Sequence, residues 1–214
     1  MNRFDRPRQA LAISLAALAG YVDAIGFLSA DRYFVSFMSG NTTRLAVELM
    51  TTPAQALIPA LLLAGFTLGV AIGGVIAALA GHVRKPAVLS FVTLLLLLAA
   101  AAHNAGLHTA ATAAMVLAMG AVNNTFQRNG EIAVGLTYMT GALVRLGQGL
   151  AALAIGQKRD DWLAHLLLWS GLFAGAVAGA FAFTRIGGVA LWLATALAAS
   201  LALFAWQLAR RETA

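Results

Sequence analysis

The sequence predicts an all-α integral membrane protein with about six transmembrane helices plus two re-entrant or broken motif helices, arranged as two inverted repeats. Three observations carry that reading. The 214 residues are 61% apolar and only 10% charged, against about 25% charged in an ordinary soluble domain, and the mean hydropathy is +0.83. The apolar residues fall in continuous runs that suit spanning helices of about 20 residues. Two more polar segments, one in each half, are copies of one another. The runs are continuous and do not alternate as the strands of a transmembrane barrel do, which speaks against a barrel.

The elements follow in order. Residues 1–8 are basic, and the run 10–29 continues too far for a cleaved signal, so it reads as a retained first helix. Segment 34–50, FVSFMSGNTTRLAVELM, is the first polar copy. Runs 55–80 and 86–102 come next, with Pro53 and Pro86 at their starts, where proline fits a first turn. Run 107–125 opens the second half, and 136–155, LTYMTGALVRLGQGLAALAI, is the second copy. Runs 162–183 and 189–208 complete the chain. Trp162, Trp169, Trp192 and Trp206 lie towards run ends, which suits the aromatic belts of a membrane interface.

Placing Met38 on Met139, 139 − 38 = 101 residues later, pairs Ser36 with Thr137, Ser39 with Thr140, Gly40 with Gly141 and Arg44 with Arg145. Gly65, Gly69 and Gly73 form a GxxxGxxxG pattern that returns as Gly171, Gly175 and Gly179. Gly20 to Asp23 matches Gly120 to Asn123 more weakly. The halves 1–103 and 104–214 are therefore expected to be two repeats of one membrane domain, a recurrent plan in transporters. If the motif segments do not cross, each repeat has three spans and the repeats are inverted. Eleven of the 14 Lys and Arg then fall on the cytoplasmic side, and only Arg32, Arg44 and Arg185 fall outside. If both segments cross, giving eight spans in parallel repeats, the flanking charges divide 7 to 5. The positive-inside rule favours six spans, with N- and C-termini cytoplasmic.

A re-entrant pair is geometrically feasible. Residues 31–38, extended, cover about 26 Å, enough to reach a midplane about 15 Å deep. Residues 39–50 as a helix return about 18 Å. Ser39 and Thr140 would be N-caps. Two opposed helix N-termini would favour an anion or a carbonyl oxygen between them. The candidate substrate or permeation residues are Asp23, Ser39, Gly40, Asn41, Thr42, Arg44, Asn123, Asn124, Thr140, Gly141, Arg145 and Gln148. Bulky replacement of Gly40 and Gly141 is expected to abolish activity while leaving assembly intact. Asp23 is a costly charge within a span; opposite Asn123 it permits asymmetric proton coupling. Arg44 has either Asp23 or, four residues on, Glu48 as its partner. The glycine triplets read as helix contacts, with Gly65, Gly69 and Gly73 facing Gly171, Gly175 and Gly179.

Other chemistry finds no signal. There is no cysteine, hence no disulfide or cysteine-based metal site. The histidines, His82, His103, His108 and His165, lie near run ends and form no HExxH motif. No GxSxG, Walker or GxGxxG motif is present, so neither an enzyme nor a cofactor is expected. The pI near 10.8 reflects helix-flanking charge, not a nucleic-acid surface.

The stretch GYVDAIGFLSADRYFVSFMSGNTTRLAVEL, with the later Thr-Gly-x3-Arg-Leu, resembles the YoaK-like family of bacterial membrane proteins, a domain of unknown function. The resemblance runs over nearly the whole chain and implies a multi-pass protein of the bacterial inner membrane. Asn123-Asn124 departs from the Gln-Asn-Ala that members often carry. The expected function is a small secondary transporter or channel for a small polar or anionic solute. The alternatives are a non-transporting accessory or binding protein and, third, an enzyme acting on a lipid or quinone through Asp23 and the arginines. The expected partners are the lipid bilayer and the solute, and a chain of 22.1 kDa is compatible with a homo-oligomer.

Overall fold

The computed structural model describes residues 6–128, 131–132, 136–137, 139–157 and 162–213. Eight α-helices run through them: α1 Arg6–Ser29, α2 Met38–Thr51, α3 Leu57–Ala80, α4 Arg84–Asn104, α5 His108–Val122, α6 Met139–Ala154, α7 Trp162–Ile186 and α8 Val189–Thr213. The departures from helix are 3-10 turns at Gly81–Val83 and Asn123–Thr125 and one small antiparallel pair of strands, Gln127–Arg128 with Glu131–Ile132.

Among the described residues, four stretches are long and apolar enough to cross a membrane: Arg6–Ser29, Leu57–Asn104, Trp162–Ile186 and Val189–Arg211. The second is two helices. Gly81, at φ +55°, reverses the chain between α3 and α4, in a region that glycine enters without steric cost. With 24 and 21 residues, α3 and α4 rise about 36 and 31 Å, each enough for a bilayer core. The run expected at 107–125 is shorter. Helix α5 has 15 residues, rises about 22 Å, and ends in the Asn123–Thr125 turn.

The core lies among α1, α4, α5 and α8, where Leu15, Leu96, Met119 and Leu191 are fully buried. Helices α3 and α7 present Leu61, Leu68, Val75, Phe173, Val177 and Phe181 outward, the apolar band that lipid tails require.

The glycine triplets differ from expectation in their partners. Gly171, Gly175 and Gly179 of α7 lie against Ile13, Ala17 and Tyr21 of α1. Gly69 and Gly73 of α3 lie against Leu117 and Ala121 of α5. The two triplets do not face one another. In both pairs the contacts advance four residues at a time along both helices, so the partners run parallel. A Cβ on Gly175 would stand 1.9 Å from the Ala17 carbonyl oxygen, and one on Gly69 would stand 2.3 Å from that of Leu117. Backbone approaches this close need glycine.

Candidate functional site

The site begins with a reversal of the chain. After α1, Asp31 and Arg32 take left-handed backbone angles, φ 45° and 62°, a conformation that disfavours residues with a Cβ. Arg44 holds the bend by donating from Nη1 to the carbonyl oxygens of both Asp31 and Arg32. Its guanidinium lies 3.8 Å above the Tyr33 ring, and Nε is 3.5 Å from Glu48 Oε1. The Tyr33 hydroxyl donates to the same Glu48 oxygen at 2.8 Å. Of the two partners expected for Arg44, it takes Glu48, and it serves as a staple on the bend.

Beyond the bend the chain runs back along α1. Val35 sits on Gly26, where a Cβ would stand 2.5 Å from Val35 Cγ1. The Val35 and Ser36 N–H groups then donate to Asp23 Oδ1 at 2.9 and 2.7 Å. Asp23 lies six residues before the end of α1, about 9 Å back along the helix. Helix α2 starts at this level with Phe37 at its N-cap and no side-chain cap, so Ser39 lies inside the first turn and is not the cap. The Ser39 N–H meets no acceptor among the described residues. By Arg44 and Glu48 the chain has climbed back to the level of residues 31–33. The polar segment is thus a descending loop followed by a returning helix.

Asn41 is fully buried and clamps the loop. Its Oδ1 accepts from the Phe34 N–H at 3.1 Å, and its Nδ2 donates to the Phe34 carbonyl at 2.7 Å. Gly40 faces the Phe34 and Phe37 rings, with a Cβ position 2.5 Å from Phe37. A bulky residue there must displace the Phe37 and Phe34 rings of the loop, which removes Gly40 as a clean test of function. Thr42 is exposed and donates to its own helix at Met38.

The second half repeats the latch in weaker form. Asn123 stands where the first half has Asp23, and its Oδ1 accepts from the Thr137 hydroxyl at 3.2 Å. Thr137 is the counterpart of Ser36. Asn124 is buried and donates to the Val70 carbonyl at 2.9 Å, tying α5 to α3. Helix α6 begins at Met139, so Thr140 is its second residue. Arg145 and Gln148 are exposed, and Gly141 is half-buried.

Between the two copies lies a cavity of about 660 Å³, lined by Ser36, Phe37, Met38 and Ser39 from one, Thr137, Met139 and Thr140 from the other, and Asn123, Phe66 and Val70. Phe66 and Val70 are the tenth and fourteenth residues of the 24 in α3, so the cavity lies at mid-height. Of the predicted residues it gathers Ser39, Asn123 and Thr140. Asp23 holds the loop behind one wall; Gly40, Asn41, Thr42, Arg44, Asn124, Gly141, Arg145 and Gln148 are not among its lining residues. Ser36 and Thr137 were visible as a matched hydroxyl pair in the repeat, whereas nothing in the sequence marked Phe66 or Val70.

Residues 11–204 match the model of a family described as "Protein of unknown function (DUF1275)". A UPF0700 transmembrane protein of Rhizobium meliloti (strain 1021) is 41% identical over 202 residues, covering 94% of this chain and 88% of that protein. No solved structure matches the chain. The extent of these matches shows that the chain, with its several apolar helices, belongs to the DUF1275 family of multi-pass membrane proteins.

Proposed function

We propose that the protein is a small secondary transporter or channel of the bacterial inner membrane, passing a small polar or anionic solute. The observation that carries this reading is the mid-height cavity between the two motif copies. Its volume falls within the range of small-molecule sites, about 300–1,000 Å³. Among the described residues lining it, hydroxyls and one amide supply the polarity and none carries a charge. Helix α2 turns its N-terminal end towards it, and exposed N–H groups there favour a carbonyl or anionic oxygen.

The architecture in this proposal is two inverted repeats, 1–103 and 104–214, with six crossings and with α2 and α6 as half-helices. The return of α2 to the end of α1 supports it. So does a second cavity that joins Ser29 and Asp31 at the end of α1 to Ile58 at the start of α3 and His108 at the start of α5. Those three ends share one side, which would be the outer one by the positive-inside rule. Of the cytoplasmic charges in that count, Arg3, Lys158 and Arg159 lie outside the described residues. Proton coupling would act through Asp23, whose carboxylate holds the loop that walls the cavity. No enzymatic step and no cofactor enter the proposal.

One observation favours the accessory reading, in which the polar motifs only hold the bundle together. Asp23, Asn41 and Asn124 all spend hydrogen bonds on the chain's own backbone. Osmotic swelling of proteoliposomes challenged with glycerol, urea or sodium formate separates the two. The transporter reading expects swelling faster than in empty vesicles for at least one solute. Ser39→Phe and Thr140→Phe, which each put a ring into the cavity between the helix starts, should each remove it while the thermal unfolding midpoint holds. Swelling equal to empty vesicles for all three solutes, or unchanged in both variants, leaves the accessory reading.

A further inference from the structure

The second cavity, of about 500 Å³, lies where the end of α1 meets the first halves of α3 and α5. Its polarity is graded along those helices. Gly65 faces Val116, with a Cβ position 3.3 Å from Val116 Cγ1, so the parallel helices α3 and α5 are level there. Near the helix starts the lining residues are Asp31, His108, Thr109 and Thr112; deeper they are Gly65, Leu68, Val116 and Leu117. From Ile58 to Leu68 is 68 − 58 = 10 residues, about 15 Å of apolar wall. Leu61, Leu68 and Ala113 are exposed, so the cavity opens along its side to the bilayer. At the polar end, the Asp31 carboxylate, the His108 ring and the Thr109 and Thr112 hydroxyls have no hydrogen-bond partner among the described residues. Ser29 and Tyr33 spend their hydroxyls on the Ile25 carbonyl and on Glu48. The His108 ring stands 4.9 Å from that of His103, which is seated on Gly188. The described lining holds one carboxylate, Asp31, and no lysine or arginine; Arg32 lies over the Phe27 ring and Arg44 is engaged by Glu48.

We propose that this cavity binds a single-chain amphiphile with a primary ammonium head, its alkyl chain lying between α3 and α5 and its head at Asp31. The charge at the polar end selects the head. A primary ammonium carries three donors and no acceptor, and a carboxylate, a neutral imidazole and hydroxyls are the acceptors it needs. The bond to Asp31 is charge-assisted and therefore the strong one. A carboxylate or phosphate head would meet Asp31 as a like charge and would find no lysine or arginine in the described lining to offset it. A neutral alcohol would leave the carboxylate without a counter-charge. The apolar wall selects the tail, because a small soluble amine would leave Leu61, Gly65 and Leu68 uncovered. The site is separate from the mid-height cavity, which uses another face of α3, that of Phe66 and Val70. It does not depend on the passage of a solute.

The test needs no transport assay. The full chain in an uncharged detergent, at about pH 8 where an alkylamine is protonated, is titrated with dodecylamine, dodecanoate or dodecanol. A ligand that binds the folded state raises the thermal unfolding midpoint, and native mass spectrometry counts the copies retained. The expected result is that dodecylamine raises the midpoint and is retained as one copy per chain, while dodecanoate and dodecanol do neither. Asp31→Asn is expected to weaken amine binding about tenfold. Asparagine tolerates the left-handed backbone at position 31, so that variant folds. Ala113→Trp, on an exposed lining residue, puts a ring system into the groove and should remove the retained copy. An equal response to dodecanoate or dodecanol, or amine binding unchanged in either variant, would overturn the proposal.

Discussion

Asp23 and Asn123 hold matching places in the two halves, and the difference between them is charge. The Asp23 carboxylate accepts two backbone N–H groups of its loop, whereas Asn123 accepts one hydroxyl. Hydrogen bonds to a charged group contribute about 1.5–3 kcal/mol and neutral ones about 0.5–1.5. Asp23→Asn should therefore cost roughly 2 kcal/mol over the two bonds, and Asp23→Ala more, because both N–H groups lose their acceptor. Thermal unfolding in detergent would order the three proteins wild type, Asn, Ala. An alanine variant as stable as wild type would mean that the loop does not depend on this latch. The sequence made Asp23 conspicuous, since a carboxylate inside an apolar run demands a partner. It left that partner ambiguous. Arg44 was a candidate by charge alone, but the chain reversal at Asp31 carries Arg44 to the carbonyls of the bend and brings the backbone of Val35 and Ser36 to Asp23.

At the scale of helices, the glycines divide into two kinds. Gly69, Gly175 and Gly179 permit backbone contact with a parallel neighbour, and a side chain there meets main-chain atoms that cannot yield. Gly147 has nothing within reach of a Cβ. Gly175→Leu is expected to prevent assembly, with loss of the monodisperse peak in size-exclusion chromatography. Gly147→Ala is expected to leave that peak unchanged and to gain the several tenths of a kcal/mol by which alanine exceeds glycine in a helix, about 1 at most. A Gly175→Leu protein with normal elution would show that α1 and α7 tolerate separation. That these glycines make helix contacts was legible from their spacing of four. Their partners were not, because spacing fixes which face of a helix is narrow and says nothing about which neighbour lies on it.

The whole molecule turns on where the ends of α2 and α6 lie. Thr52, just after α2, and Gln157, just after α6, are both exposed. In the inverted arrangement, Thr52→Cys reacts with an impermeant maleimide on cells whose inner membrane is accessible and intact, and Gln157→Cys reacts only after permeabilisation. Protection of both until permeabilisation would replace six crossings by eight and would remove the opposed half-helices. The way α2 climbs back beside Tyr33, through Arg44 and Glu48, is the physical ground for expecting the first outcome.

By itself the sequence determined the solvent, the helices and the likeness of the two polar segments. These are set by local and additive properties, namely apolar run length, proline and glycine positions, and residue spacing. It also marked Ser39, Asn123 and Thr140, which line the cavity. The tertiary structure alone decided that α1 pairs with α7 and α3 with α5, that Asn41 and Arg44 hold the loop, and that Phe66 and Val70 complete the cavity wall. Each of those outcomes depends on groups distant in the chain meeting in space. The chain reversal that brings them together is fixed by two left-handed residues, Asp31 and Arg32, neither of which is a glycine that would have announced it.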